Sequence, residues 1–120
     1  MIDRWLDGFN LDEVLRPHVH AVVAALPTEV RDAFLHDPAF TLYDFEPGPH
    51  AVAQVPVSLP GRSVVLKRTL RGRPTGFIRY VIAHELAHSH LRNRGRSPDE
   101  DPEHAADSLA AAWGFPRPRT

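Results

Sequence analysis

Residues 77–91 read FIRYVIAHELAHSHL and combine many apolar side chains with a cluster of ionisable ones. The apolar residues recur nearly all round a helix of 3.6 residues per turn, which predicts a buried helix. Three histidines and one glutamate interrupt this surface: His84, Glu85, His88 and His90. Because burying ionisable groups is costly unless a partner stabilises them, the stretch predicts a site at which something binds.

The spacing within this helix indicates a metal. His84 and His88 are four residues apart, so their imidazoles point the same way and can hold one ion. Glu85 is rotated by about 100° from His84 and can face a metal-bound water without ligating the metal. This is the HExxH arrangement of zinc hydrolases. His90 lies about 200° round the helix from His88, which predicts a surface or loop-contacting side chain.

A third ligand is predicted from the segment EHAAD, residues 103–107. Catalytic zinc normally takes three protein ligands and a water, so two histidines make an incomplete site. Glu103 suits the third position, with His104 and then Asp107 as the alternatives. Asp107, one turn further on, could instead accept the free N–H of a ligating histidine and fix its tautomer.

The remaining chain predicts a single α+β domain over residues 1–120. Two N-terminal helices are expected, one over 11–26 that breaks or restarts at Pro17, and one that Thr28 caps and that ends at Leu35. Three strands follow, forming a small antiparallel sheet, and Pro60-Gly61 fits the turn of a hairpin between the last two. Asp101-Pro102 predicts the start of a final helix, and Gly114 its end. The predicted strands span 40–45, 50–57 and 63–70, and the last two helices span 77–91 and 102–113.

Composition restricts the possible partners. The net charge is −1 and the sequence pI about 6.7, so nothing predicts binding to nucleic acid or to a membrane surface. The chain has no cysteine, which excludes disulfides and thiolate metal sites and agrees with a reducing compartment. With no signal-like or membrane-spanning stretch in the sequence, a cytoplasmic location is expected.

The pair of motifs resembles a known enzyme family. HELAH, followed after 14 residues by EHAAD, is similar to the gluzincin metallopeptidases in a minimal form, with the ImmA/IrrE-type regulator proteases and the SprT-like proteins as small relatives. The resemblance implies a zincin-like fold in which His84, His88 and Glu103 bind Zn²⁺, Glu85 is the general base and Asp107 supports a ligand. It also implies a peptide or protein substrate held along a sheet edge, for which 50–57 and 63–70 are the candidates.

The sequence departs from this family in one respect. Such peptidases usually carry a tyrosine or histidine that stabilises the oxyanion, and no motif here places one. His50, Tyr43 and Tyr80 are the candidates.

The expected function is therefore peptide-bond hydrolysis by a zinc-activated water, with Glu85 as the base. One alternative is a non-catalytic zinc-binding regulator, in which the metal braces two helices. Another is a protease that a regulatory protein partner activates. A fourth interpretation needs no metal, because the polar residues of the helix could satisfy one another inside the core.

Overall fold

The computed structural model describes residues 2–9, 11–45, 63–93 and 101–118. Within these residues the chain is mostly helical with a small sheet, which confirms the α+β class. The helices are α1 (Ile2–Leu6), α2 (Leu15–Ala25), α3 (Thr28–Leu35), α4 (Thr75–Asn93) and α5 (Pro102–Ala112), the strands are β1 (Thr41–Phe45) and β2 (Ser63–Lys67), and a 3-10 helix covers Arg68–Gly72.

Helix α4 is the central element. It packs against α5, α2 and β2, and its residues Ile82, Ala83, Leu86 and Ala87 are completely buried. Helix α5 contributes two further alanines without exposed surface, Ala106 and Ala110, to the same core. No helix in the part of the chain that the structure describes is both long enough and apolar enough to cross a lipid bilayer.

The proline in the N-terminal region does not break a helix. Helix α2 begins at Leu15, so Pro17 lies in its first turn. The predicted break at Pro17 is wrong, but the main part of the helix follows this proline as expected. The first four N–H groups of a helix have no intrahelical acceptor, and proline therefore costs no hydrogen bond there. Helix α3 ends at Leu35 as predicted, but Thr28 is its first residue and Pro27 occupies the capping position without a side-chain hydrogen bond.

The sheet differs from the prediction. Strands β1 and β2 pair in parallel, Leu42 opposite Val64 and Asp44 opposite Leu66, so an entirely antiparallel sheet is wrong. The parallel register places the ends of both strands at one edge, where Asp44 meets Arg68 just beyond β2. The predicted strand 63–70 ends at Lys67, because the chain turns into the 3-10 helix that buries Leu70. The strand predicted at 50–57 and the turn at Pro60-Gly61 lie outside the described residues.

A buried carboxylate ties the sheet to the N-terminal segment. The Asp44 side chain is 1% exposed and accepts hydrogen bonds from Nη2 of Arg68 at 2.8 Å, from Nε of Arg68 at 3.1 Å and from the backbone N–H of Asp12. Removing one member of such a group leaves the other without its counter-charge and lowers the free energy of unfolding. Because the arginine is only half-buried, solvent screens its charge and reduces this loss.

Replacing Asp44 by alanine is expected to lower the free energy of unfolding by about 2–3 kcal/mol, the cost of losing charge-assisted hydrogen bonds at a buried position. Urea denaturation monitored by circular dichroism measures this change. Asp32→Ala is the matched control, because that carboxylate is half-exposed and its ion pair with Arg31 is long, at 3.9 Å. The effect of this substitution should stay within about 0.5 kcal/mol. Equal effects of the two substitutions would contradict a structural role for the Asp44 group.

Both ends of α5 follow the sequence prediction. Oδ1 of Asp101 accepts from the backbone N–H of Glu103 at 3.0 Å and of His104 at 3.5 Å, and Pro102 stands at the first helical position. At the other end, Gly114 has a φ of 100°, and the N–H of Phe115 returns to the carbonyl of Ala110 at 2.9 Å. Together with the bond from the N–H of Gly114 to the carbonyl of Ala111 at 3.0 Å, this bond forms a Schellman turn, which favours glycine at the left-handed position. The cap thus fixes where the first turn of α5, and with it Glu103, begins.

Candidate metal centre

Three potential ligand atoms converge between α4 and α5. Nε2 of His84 lies 3.0 Å from Nε2 of His88, one turn further along α4. Oε2 of Glu103, from the first turn of α5, lies 2.8 Å from Nε2 of His84, and its Oε1 lies 3.3 Å from Nε2 of His88. Among the described residues, this is the group of histidines and carboxylates whose ligand atoms all lie within 4.8 Å of one another.

The protonation of His84 directs its lone pair toward this cluster. Nδ1 of His84 lies 2.7 Å from Oδ1 of Asp107, and an ionised carboxylate only accepts, so Nδ1 carries the proton. In the neutral imidazole, Nε2 then has a free lone pair facing His88 and Glu103. Atoms that all accept hydrogen bonds repel one another at this separation, so the arrangement requires either added protons or a cation between them.

Zinc fits the spacing of these atoms. Ligands about 2.0–2.1 Å from a tetrahedral ion lie roughly 3.3 Å from one another. The separations from Nε2 of His84 to Oε2 of Glu103 and to Nε2 of His88, 2.8 and 3.0 Å, would have to open by about 0.3–0.5 Å, while Oε1 of Glu103 already lies 3.3 Å from Nε2 of His88. Two neutral imidazoles and a carboxylate are also a donor set that suits zinc.

The cluster is closed on one side and open on the other. The side chains of His84 and His88 are 12% and 9% exposed, whereas that of Glu103 is 71% exposed. Three protein ligands with one accessible side are typical of a catalytic site, since structural zinc sites are usually closed by four ligands. A water or a substrate carbonyl could approach from the side of Glu103.

Asp107 is held in position by several neighbours. Its Oδ1 accepts from the hydroxyl of Tyr80 at 2.5 Å as well as from His84, and Oδ2 lies 3.8 Å from Nη1 of Arg117. Partial burial acts to raise the pKa of Asp107, but the hydrogen bonds from Tyr80 and His84 outweigh it and lower the pKa overall. Burial and the hydrogen bond to Asp107 raise the pKa of Tyr80 to about 12. The carboxylate is therefore ionised and the phenol protonated at neutral pH.

The charge of Glu103 is also favoured. Burial of part of its side chain raises the pKa of Glu103, but its interactions with His84 and His88 have the larger combined effect and lower it. Glu103 is thus an anion beside the two imidazoles, the state in which a carboxylate binds a metal.

Glu85, the residue after His84, lines a depression whose lining does not include His84, His88 or Glu103. It is half-buried and lines a groove of about 470 Å³ together with residues of β2, the 3-10 helix and the first turns of α4. We call this the Glu85 groove, and its apolar floor is formed by Val65, Leu66, Leu70, Phe77 and Val81. Within the described residues, the Glu85 carboxylate makes no hydrogen bond or ion pair, so its lone pairs are available to a ligand in the groove.

Neither of the two described oxyanion candidates, Tyr80 and Tyr43, has a hydroxyl shown free to stabilise an oxyanion at the cluster. The Tyr80 ring lies 5.7 Å from that of His84, but its hydroxyl proton is donated to Asp107. Tyr43 lies on β1, and its buried hydroxyl has no hydrogen-bond partner within the parts of the chain that are described. His50 lies outside the described residues.

Two other histidines are placed away from the cluster. His104, the alternative third ligand, is exposed on α5 and lines a different depression with Leu91 and Leu109. His90 is half-buried rather than at the surface, with its ring 6.4 Å from Phe34 and 6.1 Å from Trp113.

Sequence reasoning missed the interaction between Tyr80 and Asp107. Tyr80 precedes His84 by four residues, the same helical spacing that relates His84 to His88, so the three side chains share one face of α4. That spacing could have predicted that Tyr80 lies on the same face as the two histidines. The Glu85 groove had no comparable signal, because its walls come from segments that are distant in sequence.

No protein-family model, characterised protein or solved structure matches this chain. Any functional assignment therefore depends on the geometry and chemistry of its own residues.

Replacing Asp107 by asparagine is expected to weaken zinc binding by about 10–100-fold, because partners that orient a ligating histidine usually contribute that much to metal affinity. The carboxamide keeps the shape of the side chain but loses the charge that favours the Nδ1 proton of His84. Competition with a chromophoric chelator measures the dissociation constant. Asp32→Asn, the same change far from the cluster, should leave the affinity unaltered, and a similar loss in both variants would contradict an orienting role.

Proposed function

We propose that this chain is a zinc-dependent peptidase with a minimal zincin-like domain. The observation that carries the proposal is the convergence of the ligand atoms of His84, His88 and Glu103. Beside it stands the carboxylate of Glu85, the residue after His84, which lines a groove and has no partner among the described residues. A metal centre open on one side, a candidate base and a peptide-sized depression are the components that amide hydrolysis needs.

Each residue has a chemical task in this proposal. His84, His88 and Glu103 hold the ion, and Asp107 keeps Nε2 of His84 unprotonated. Bound zinc would supply Lewis acidity toward water and the scissile carbonyl. Glu85 takes a proton from the attacking water as the C–O bond forms, and gives it to the leaving nitrogen as the C–N bond breaks. Water is consumed, and the products are a carboxylic acid and an amine.

The substrate would approach along β2. Val65 and Lys67 of this strand line the same groove as Glu85, so an extended peptide beside the strand would pass the base. The absence of cysteine suits a reducing compartment such as the cytoplasm, which is where we place the activity.

The second candidate is a zinc-binding protein that does not catalyse hydrolysis or does so only with a regulatory partner. The engagement of Tyr80 by Asp107 favours it, because the nearest tyrosine then has no free donor for an oxyanion. In that case a partner protein would have to supply or release such a donor.

Removing and restoring the metal tests the proposal. The full chain, loaded with one equivalent of zinc, is expected to cleave a fluorescently labelled unfolded protein, to stop after zinc is chelated, and to resume when zinc is returned. Elemental analysis gives the metal content of each sample, and mass spectrometry of the fragments identifies the cleaved bonds. Stoichiometric zinc binding without cleavage would reject the peptidase and leave the non-catalytic candidate.

A further inference from the structure

The Glu85 groove has an apolar floor. Leu66 and Leu70 are buried, and Phe77 and Val81 are half-buried and pack on the core. Its volume of about 470 Å³ lies within the range of sites that bind small molecules or short peptide segments. A floor of this kind favours a bulky apolar side chain, because burial of apolar surface is the main favourable term there.

The basic residues beside the groove fall into two classes. Residues 66–73 read LKRTLRGR and contain four cations. Arg68 is bound to Asp44 at 2.8 Å, and Arg71 is bound to Asp12 at 3.0 Å. Lys67 and Arg73 line the groove, and neither forms an ion pair with any residue that the structure describes.

Arg73 is nevertheless held in place. Its guanidinium carbon lies 4.4 Å from the centre of the Phe77 ring, a cation–π contact on the wall of the groove. Lys67 is exposed at the end of β2. Among the described residues, the rim of the groove thus carries two positive charges that form no ion pair, beside an apolar floor. This combination complements a ligand that is both acidic and apolar.

These features favour a peptide over a nucleic acid. Affinity for nucleic acid depends on several phosphate contacts, and two of the four cations already have carboxylate partners. Glu85 would repel a phosphate backbone that follows the groove, whereas a peptide can place an amide there and a carboxylate at the rim.

We propose that the Glu85 groove selects acidic peptide segments, in which a bulky apolar residue is flanked by aspartate or glutamate. The interpretation of this groove as a substrate site rests on the proposed peptidase function. The binding preference itself is independent of catalysis. The apolar side chain occupies the floor, and the flanking carboxylate lies against Lys67 and Arg73.

The test uses the full, zinc-loaded chain and three labelled peptides of equal length. One has phenylalanine flanked by aspartates, one has the aspartates replaced by asparagine, and one has the phenylalanine replaced by alanine. Fluorescence anisotropy with the Glu85→Gln variant keeps the peptides intact, and a cleavage assay with the wild type gives KM and kcat separately. The first peptide is expected to bind about 2–5-fold more tightly than the asparagine peptide, the effect of an exposed charge pair, and at least about 10-fold more tightly than the alanine peptide, the effect of burying a phenylalanine ring.

Charge substitutions identify the rim. Lys67→Gln and Arg73→Gln should each weaken binding of the acidic peptide severalfold and leave the asparagine peptide unaffected, and added salt should mimic this loss. Arg4→Gln removes one exposed positive charge from α1 and is expected to change nothing. Circular dichroism and thermal melting show whether each variant is folded.

The outcomes separate this inference from the proposed function. Preferential binding of the acidic peptide without cleavage would support the groove and reject the peptidase. Cleavage with equal KM values for the three peptides would support the peptidase and overturn the inference. Displacement of the acidic peptide by a single-stranded oligonucleotide at comparable concentration would also overturn it, since the rim would then recognise phosphates.

Discussion

Replacing Glu85 by glutamine is expected to reduce peptide hydrolysis by about 10²–10⁴-fold while the chain still binds one zinc ion. This is the usual range for the loss of a general base, and the ion depends on three other side chains. Glutamine has nearly the same size and can still accept a hydrogen bond, but it cannot take up a proton from water. The decrease should therefore appear in kcat, with little change in KM.

Elemental analysis and initial-rate kinetics on the same preparation check both parts of this prediction. Glu29→Gln is a suitable control, because it makes the same change in the exposed first turn of α3 and should retain full activity. Unchanged cleavage in the Glu85 variant would show that another group activates the water. Loss of zinc from that variant would show instead that Glu85 belongs to the metal centre.

Replacing His84 or His88 by alanine is expected to lower zinc affinity at least about 100-fold, because in the proposed centre each histidine supplies one of only three protein ligands. Zinc at about 1,000 times its dissociation constant stabilises the folded wild type by about 4 kcal/mol, so its Tm should rise on addition of the metal. In either variant the same zinc concentration is at most about ten times the weakened dissociation constant, so the stabilisation should fall to about 1.4 kcal/mol or less and the rise in Tm to about a third or less.

Calorimetric titration with zinc and thermal melts with and without the metal measure these effects. His104→Ala is the informative control, since His104 neighbours Glu103 in sequence but lies at a different depression. It should bind zinc and gain stability as the wild type does. If His104→Ala lost zinc while Glu103→Gln retained it, the third ligand would be His104.

Helices α4 and α5 could be predicted because their signals are local, whereas the short helix α1 was not predicted. The apolar periodicity of α4, the Asp101-Pro102 cap and the Gly114 turn each depend on residues within a few positions of one another. The i, i+4 spacing also fixed the direction of His84 and His88 before any tertiary contact was considered. The position of Glu103 followed from the cap that begins α5.

The sheet could not be predicted in the same way. Strand patterns show which residues alternate between buried and exposed, but they do not show which distant strand is the neighbour or in which direction it runs. Residues 41–45 and 63–67 are far apart in the chain, and their parallel pairing depends on tertiary contacts such as that between Asp44 and Arg68. Pro17 was misleading for a different reason, because a helix interrupter is harmless in a first turn.

The fully buried alanines of α4 and α5 have a consequence for how this protein can evolve. The distance between the two helices sets the distance from His84 and His88 to Glu103, and side chains as small as those of Ala83, Ala87, Ala106 and Ala110 allow a close approach. Metal–ligand bonds tolerate displacements of only about 0.2 Å. A methyl group added to one of these buried alanines is therefore expected to shift the ligands of the proposed metal centre, so that a change in the size of the core would also change the affinity for metal.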